Sequence, residues 1–447
     1  MFEHGVSELA GWVTALADAP SAGSDADRVD RIRLLEELKC AAEALQARDA
    51  VDLDASVRQV QRDAGVPARR LGEGVAAQVG LARRVSPVRA SKLLGLAKVM
   101  TAELPHTAEL MRRGLLSEWR ATIVARETGC LDLQDRREVD RLLCAGGPGY
   151  APAIAMGDRQ LADTVKKHAY RLDAASFTAR AAKAVEERTV TIRPAPDTMT
   201  WVTALLPVTQ GVGVYAALRA AADSARAAGD PRSRGQVMAD TLAERATTTS
   251  AEAAGPTTFP VEVRLVMTDR TLFTGDDEPA HLLGYGPVPA GWARALAADA
   301  LDKAQLWIRR LYTTPGTGTL VAMDSTARCA PAGLARFIET RDLATCRTPW
   351  CDAPARVIDH VTDHQHGGPT TGPNLQDLCE RCNLAKQAPG WSTTTRAGPD
   401  ARGRHVVDWR TPTGHHHPAR APDLPGTGHT RPRLEAWLHD VILDLAV

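Results

Sequence analysis

The sequence predicts a mainly α protein: a helical bundle with a small β-hairpin, followed by a compact C-terminal segment around a structural zinc site. Three observations carry this expectation. Apolar residues recur at helical spacing through the N-terminal part of the chain. Two short apolar runs, Thr189 to Arg193 and Met199 to Leu205, are split by Pro194-Ala195-Pro196-Asp197, which is a hairpin pattern. Near the C-terminus, Cys346 and Cys351 in CRTPWC and Cys379 and Cys382 in CERC form two close pairs. Four thiolates suit a tetrahedral zinc and leave it no open coordination position, so its role is structural.

From about Asp27 to Arg48, apolar residues fall at Ile32, Leu35, Leu38, Ala42 and Leu45 behind an acidic start, which predicts a helix. Similar patterns predict helices through Leu93 to Met100, Thr107 to Arg113, Glu118 to Arg126, Gln134 to Leu143 and Arg159 to His168. After the hairpin, helices are expected around Val212 to Ala227 and Gln236 to Ala246. The Ala/Thr-rich stretch Thr247 to Pro256 reads as a linker, Val261 to Met267 as a strand, and Gly284 to Pro289 as a turn before a helix near Trp292. Gly318 to Met323 reads as another short strand, and Pro331 to Arg341 as a helix that delivers the chain to Cys346. Beyond Trp391 the chain is polar and turn-rich. It ends in an amphipathic helix bearing Leu434, Trp437, Leu438, Val441, Ile442 and Leu445.

A chain of 447 residues exceeds one ordinary core, so two or three domains are expected. Aromatics are 4% against 44% hydrophobic residues, so the cores must come from Ala, Leu and Val, which favours helices. With 54 basic and 54 acidic side chains the net charge is zero, so any nucleic-acid contact has to come from local patches. Eight cysteines are too few for a disulfide scaffold. Cys40, Cys130, Cys144 and Cys329 are scattered singly, which suits a reducing compartment. The N-terminal stretch lacks the basic start and apolar run of a signal peptide, and no window of membrane-spanning length is free of charge. The expected location is cytoplasmic, with no membrane association.

Between the cysteine pairs lie Asp359-His360, the turn Gly367-Gly368-Pro369 and Asn374-Leu375, and Asn383 follows the last cysteine. Hydrolysing a phosphodiester needs a water deprotonated near neutral pH and a cation on the phosphoryl oxygens. His360 titrates in the right range to be the base. The carboxylate of Asp359 and the amide oxygen of Asn383 are hard ligands that suit Mg²⁺ or Mn²⁺. Adjacent strand residues point to opposite faces, so the strand has to end or twist at His360. A zinc ribbon without activity is the rival reading of the same residues. The interval between the cysteine pairs, longer than a zinc ribbon needs, favours a strand-loop-strand with a site in it.

Read in order, the early cysteine pair, Asp359-His360, Gly367-Gly368-Pro369-Thr370, Asn374-Leu375, Cys379-Glu380-Arg381-Cys382-Asn383 and Lys386 resemble the HNH endonuclease family in its four-cysteine form. The resemblance implies a ββα-metal finger of two strands and a helix around a catalytic cation. It implies that His360 activates water, that Asp359 and Asn383 hold the cation, and that Asn374 fixes the loop and the base. It further implies cleavage of DNA to 5′-phosphate and 3′-hydroxyl ends. Asn383 stands where the family often has His, an H-N-N variant that shifts the metal preference. Lys386 matches a family lysine, and with Arg381 on the same helix it is a candidate phosphate contact, set against a merely solvated surface.

The segments LDAASFTARAAKAVEERTVTIRPAPDTMTWVTALLP, GDPRSRGQVMADTLAER and GYGPVPAGWARALA resemble the helical domain of unknown function 222 of actinobacterial HNH proteins. Arg341-Asp342 with Cys346, and Trp409 to Gly414 as W-x-x-P-x-G, extend the likeness, which makes His415-His416-His417 natural sequence. The expected domains are 1–250, helical with a hairpin near 189–205; 251–335, a mixed α/β connection; 336–395, the HNH finger; and 396–447, a polar tail with a terminal helix.

Other features are weighed against plainer readings. Arg69 to Lys98 is rich in Arg and Lys and reads as helix, a turn at Val85-Ser86-Pro87, then helix. A helix-turn-helix would put Arg89 and Lys92 at the start of a recognition helix, whereas any bundle contains such a pair with a solvated basic face. His364 and His366 are extra ligands, phosphate contacts or solvated loop residues, and Cys329 lacks a paired partner for the zinc. The expected function is therefore a metal-dependent DNA endonuclease with structural Zn²⁺ and catalytic Mg²⁺ or Mn²⁺. The alternative is a non-catalytic, zinc-stabilised nucleic-acid-binding protein. A third reading gives the helical domain a protein partner and leaves the nuclease as effector. The sequence carries no signal for an oligomeric state.

Overall fold

The structure, a computed structural model, describes residues 5–21, 23–146, 151–247, 263–302, 329–396, 398, 400 and 404–426. The expected strand at Gly318 to Met323, the terminal helix and nearly all of the expected linker lie outside these residues. The chain divides into two compact units, Met1–Ala68 with Ser91–Arg180, and Arg69–Ala90 with Ala181–Val447.

The first unit is helical. Helices Asp25–Asp63, Pro105–Arg112, Glu118–Glu127, Leu133–Cys144 and Asp158–Leu172, with most of Pro87–Glu103, enclose a core that includes Leu104, Leu110, Met111, Ile123, Val139, Leu161 and Val165. Their starts are chemically marked. Ser24 and Asp27 form a capping box, and Asp132 accepts from Asp135 N at 2.8 Å. Asp140, fully buried, accepts from His106 N at 2.8 Å and Thr107 N at 2.9 Å, and so caps a neighbouring helix across the core. Helix Asp25–Asp63 runs well beyond the expected Arg48, and the first part of its apolar face is exposed at Ile32, Leu35 and Leu38.

In the second unit, strands Thr189–Ala195 and Met199–Leu205 pair antiparallel. Asp197 and Thr198 both have φ of 60°, the left-handed pair of a tight hairpin turn. Helices Val208–Ala227 and Arg234–Thr247 follow and pack on each other. A small sheet of Leu265–Val266, Ala280–Leu282 and Gly286–Val288 packs with helix Ala290–Asp302.

The C-terminal part begins with helix Ala332–Arg341 and continues with antiparallel strands Val357–His360 and Leu375–Leu378 and helix Glu380–Lys386. One face of the strand pair meets Leu334 and Ile338 through Leu375 and Ile358; the other meets the cysteine cluster, Trp391 and Trp409 through Leu378. The stretch expected as a polar tail is different. Val406–Arg410 pairs with both Ser392–Thr395 and His416–Arg420, and Trp409 and Val407 are fully buried. Few apolar residues, set among His, Arg and turn residues, hid that sheet from pattern reading.

The helix Val75–Arg83 of the basic segment also belongs here. Ala77 and Leu81 pack into the same core, and Gly74, at φ 86°, lies so close to Trp391 that a Cβ would come within 2.4 Å of the indole nitrogen. Among the described residues no helix is long and apolar enough to cross a membrane.

Candidate active site

The four cysteines come from two turns. Cys346 and Cys351 follow helix Ala332–Arg341, on a loop that bends through left-handed residues at Leu343, Ala344 and Trp350. Cys379 precedes helix Glu380–Lys386, and Cys382 sits in its first turn. All four sulfurs are buried and lie within 4.8 Å of one another. The 3.8 Å from Cys351 to Cys379 is the edge of a tetrahedron whose corners lie about 2.3 Å from its centre, the zinc–sulfur distance. Hydrogen bonding among the four sulfurs lowers Cys346 and Cys379 and raises Cys351 and Cys382. Thiolates are what a metal ion captures.

A buried ion cluster ties this loop to its surroundings. Arg341 donates to both oxygens of Asp342 at 2.8 Å and to the carbonyls of Gly372 and Leu375 at 2.7 Å. Arg347 donates to Asp342 at 2.7 Å and to the carbonyl of Ala419 at 2.9 Å. Burial raises the Asp342 carboxyl, but the two guanidiniums outweigh it and hold the group well below the usual carboxylate range. The Arg-Asp pair, readable in the sequence only as a likeness, thus links helix, loop, strand and C-terminal sheet.

Strand Val357–His360 delivers Asp359 and His360 to its end. Both line one cleft of about 490 Å³, together with Arg264, Glu339, Arg356 and Asp377. His360 is half-buried. Its Nε2 lies 2.9 Å from Thr370 Oγ1, and its ring meets His364 edge-on at 5.5 Å. Burial lowers its pKa. Asn374 is bound into the loop: Oδ1 accepts from Thr362 N at 2.9 Å, and Nδ2 donates to the carbonyls of Thr362 and Pro369 at 3.0 and 2.8 Å. Gly368 completes that packing, since a Cβ there would lie 1.8 Å from Thr362 O.

Lys386 is put to a different use from the expected phosphate contact. It is 7% exposed, and its ammonium donates to Asp359 Oδ2 at 2.7 Å, to Asp363 Oδ1 at 2.6 Å and to the carbonyl of His360. An ammonium has three hydrogens, and here all are engaged. Two carboxylates converging from strand and loop draw the lysine inward. Asn383, one turn earlier on that helix, has a buried Oδ1 without a hydrogen-bond partner. It is not among the residues lining the cleft. Arg381 is exposed on the same helix. Arg89 and Lys92 are exposed on helix Pro87–Glu103 and take no part in the cleft. His366 is exposed, 3.7 Å from Asp363. Asp363, Thr370 and Arg356 were not singled out by sequence reasoning. Thr370 stands within the quoted Gly-Gly-Pro-Thr run, while the other two carry no local signal.

Residues 345–388 match the family described as HNH endonuclease, and residues 32–342 match the family described as Domain of unknown function (DUF222). No curated protein and no solved structure matches the chain. With a match over more than half its length and the second family's pattern directly behind it, the chain belongs to the DUF222 family and carries an HNH endonuclease domain in its C-terminal finger.

Proposed function

We propose that the protein is a metal-dependent endonuclease that hydrolyses phosphodiester bonds in DNA at the cleft lined by Asp359 and His360. One observation carries the reading. Asn383 Oδ1 is buried without a donor, on the helix packed against the strand that bears Asp359. An unsatisfied buried carbonyl oxygen costs about 1–3 kcal/mol, and a cation shared with the Asp359 carboxylate would remove that cost. Two hard oxygen donors suit Mg²⁺ or Mn²⁺, whereas the four sulfurs suit Zn²⁺. When bound, the cation would stabilise negative charge on the phosphoryl oxygens.

The rest falls to the chain itself. In the tautomer whose Nε2–H donates to Thr370 Oγ1, the Nδ1 lone pair of His360 is free to accept a proton from the attacking water. Burial keeps the imidazole neutral for that task. Asn374 braces the loop that carries Thr370, and so sets the ring's orientation. Lys386 balances Asp359 and Asp363. Arg356 and Arg381, both exposed, meet the phosphates on either side.

Supercoiled plasmid incubated with the purified protein tests this. Nicking or linearisation should require Mg²⁺ or Mn²⁺, stop in EDTA, and fall by about 10²–10⁴-fold in His360→Ala. Cleavage that persists in excess chelator rules the assigned roles out. The rival reading, a non-catalytic zinc module, draws on Lys386, whose ammonium already engages Asp359. Binding of DNA with no cleavage under any divalent cation would favour it.

A further inference from the structure

Gln376 is the most conspicuous buried polar side chain that the reading above does not use. It is 0% exposed, and neither Oε1 nor Nε2 finds a hydrogen-bond partner. Strand pairing sets it directly across from Asp359. Directly opposed residues in an antiparallel pair project on the same face of the sheet. That face is fixed by its neighbours. Leu378, two residues on and therefore on the same side, packs with Cys382 and Trp391. Leu375, on the other side, packs with Leu334 and Ile338. Gln376 thus lies on the side covered by helix Glu380–Lys386, the helix that supplies Lys386 to Asp359 and bears the unpartnered Asn383 Oδ1.

A primary amide offers two donors and a carbonyl oxygen, and burial of all of them without partners is unfavourable. This side also holds the Lys386 ammonium, engaged by Asp359, and the indole nitrogens of Trp391 and Trp409, which are buried without acceptors. The side-chain oxygens on it are those of Asp359, Asn383 and Gln376 itself. We propose that Gln376 is a third protein ligand of the cation assigned to Asp359 and Asn383, its Oε1 joining their oxygens. This rests on the cation reading above and adds a residue to it.

The test is Mn²⁺ binding to the zinc-loaded full-length protein, followed by electron paramagnetic resonance and calorimetry, with thermal melting in Mn²⁺-free buffer beside it. Wild type, Asp359→Asn, Gln376→Leu and Gln376→Glu are compared. Gln376→Leu should weaken Mn²⁺ by at least about tenfold, yet melt in Mn²⁺-free buffer no lower than wild type, because no protein hydrogen bond is lost. Gln376→Glu, which adds a charge to the ligand set, should bind Mn²⁺ more tightly. If Asp359→Asn weakens Mn²⁺ while both Gln376 variants bind it as wild type does, the role given to Gln376 is overturned and the cation site stands. If the wild type takes up no Mn²⁺, or Asp359→Asn does not weaken it, the cation site itself falls and this inference with it. Should Gln376→Leu fail to fold, Gln376→Glu decides: tighter binding supports the assignment, and unchanged binding overturns it.

Discussion

A water-activating imidazole has to be neutral at working pH, and burial favours that state at His360. The sign gives a prediction. A lowered pKa means the base is lost to protonation only below the ordinary histidine value of about 6.5, so the acid limb of kcat/KM should have its midpoint under that value. A midpoint at or above it, measured across a pH series with plasmid or a short duplex, would contradict His360 as the base. At this scale the sequence is uneven. Asp359, His360 and Asn383 could be picked out as candidates by type, because ligand and base chemistry restrict which side chains serve, whereas Asn374 came only from the family likeness. Lys386 could be picked out but not placed. A lysine on a short helix looks solvated until two carboxylates, Asp359 and Asp363, are seen to meet it. Gln376 had no signal, since its burial follows only from the strand register.

Among the elements, the cysteine cluster and the arginine-aspartate cluster hold the finger in different ways. The first is arranged to act through a metal. As-purified protein should carry about one zinc per chain, and Cys346→Ser or Cys382→Ser should abolish it and unfold the finger, because binding of a structural zinc is folding free energy. Metal analysis with melting of each variant checks this. The second acts through burial. Asp342→Asn leaves Arg341 and Arg347 buried without their counter-charge, and a loss of about 3–5 kcal/mol is expected in denaturant unfolding. Because the folded carboxyl lies below its unfolded value of about 3.9, its contribution is complete above that pH and disappears as pH falls through the folded value. Wild type should therefore lose finger stability steeply in acid, and Asp342→Asn much less so. Helix positions were legible because apolar spacing and caps agree: Gln134 to Leu143 was expected and Leu133–Cys144 is found, with Asp132 as its cap. The strands Val406–Arg410 and His416–Arg420 were not, since so short a run shows no period until Trp409 is seen buried.

For the molecule as a whole, zero net charge leaves no long-range pull toward a polyanion, so any affinity for DNA has to come from a few exposed cations near the cleft. Arg356→Ala should reduce affinity with little regard to sequence and lower the salt slope of binding by about one; an unchanged slope would remove it from the interface. The mainly helical class and the compact finger were visible from composition and cysteine spacing. The docking of Val75–Arg83 onto the finger was not, because contacts so distant in sequence leave no local trace. The two family patterns meet between residues 342 and 345, and a buried ion pair, Asp342 to Arg347, straddles that seam. A fragment excised at the seam would carry Arg347 into its interior with no anion to answer it. It would also release the carbonyls of Gly372 and Leu375 from Arg341. The smallest portable HNH domain in this chain therefore begins upstream of Ala332, inside what the neighbouring family pattern covers.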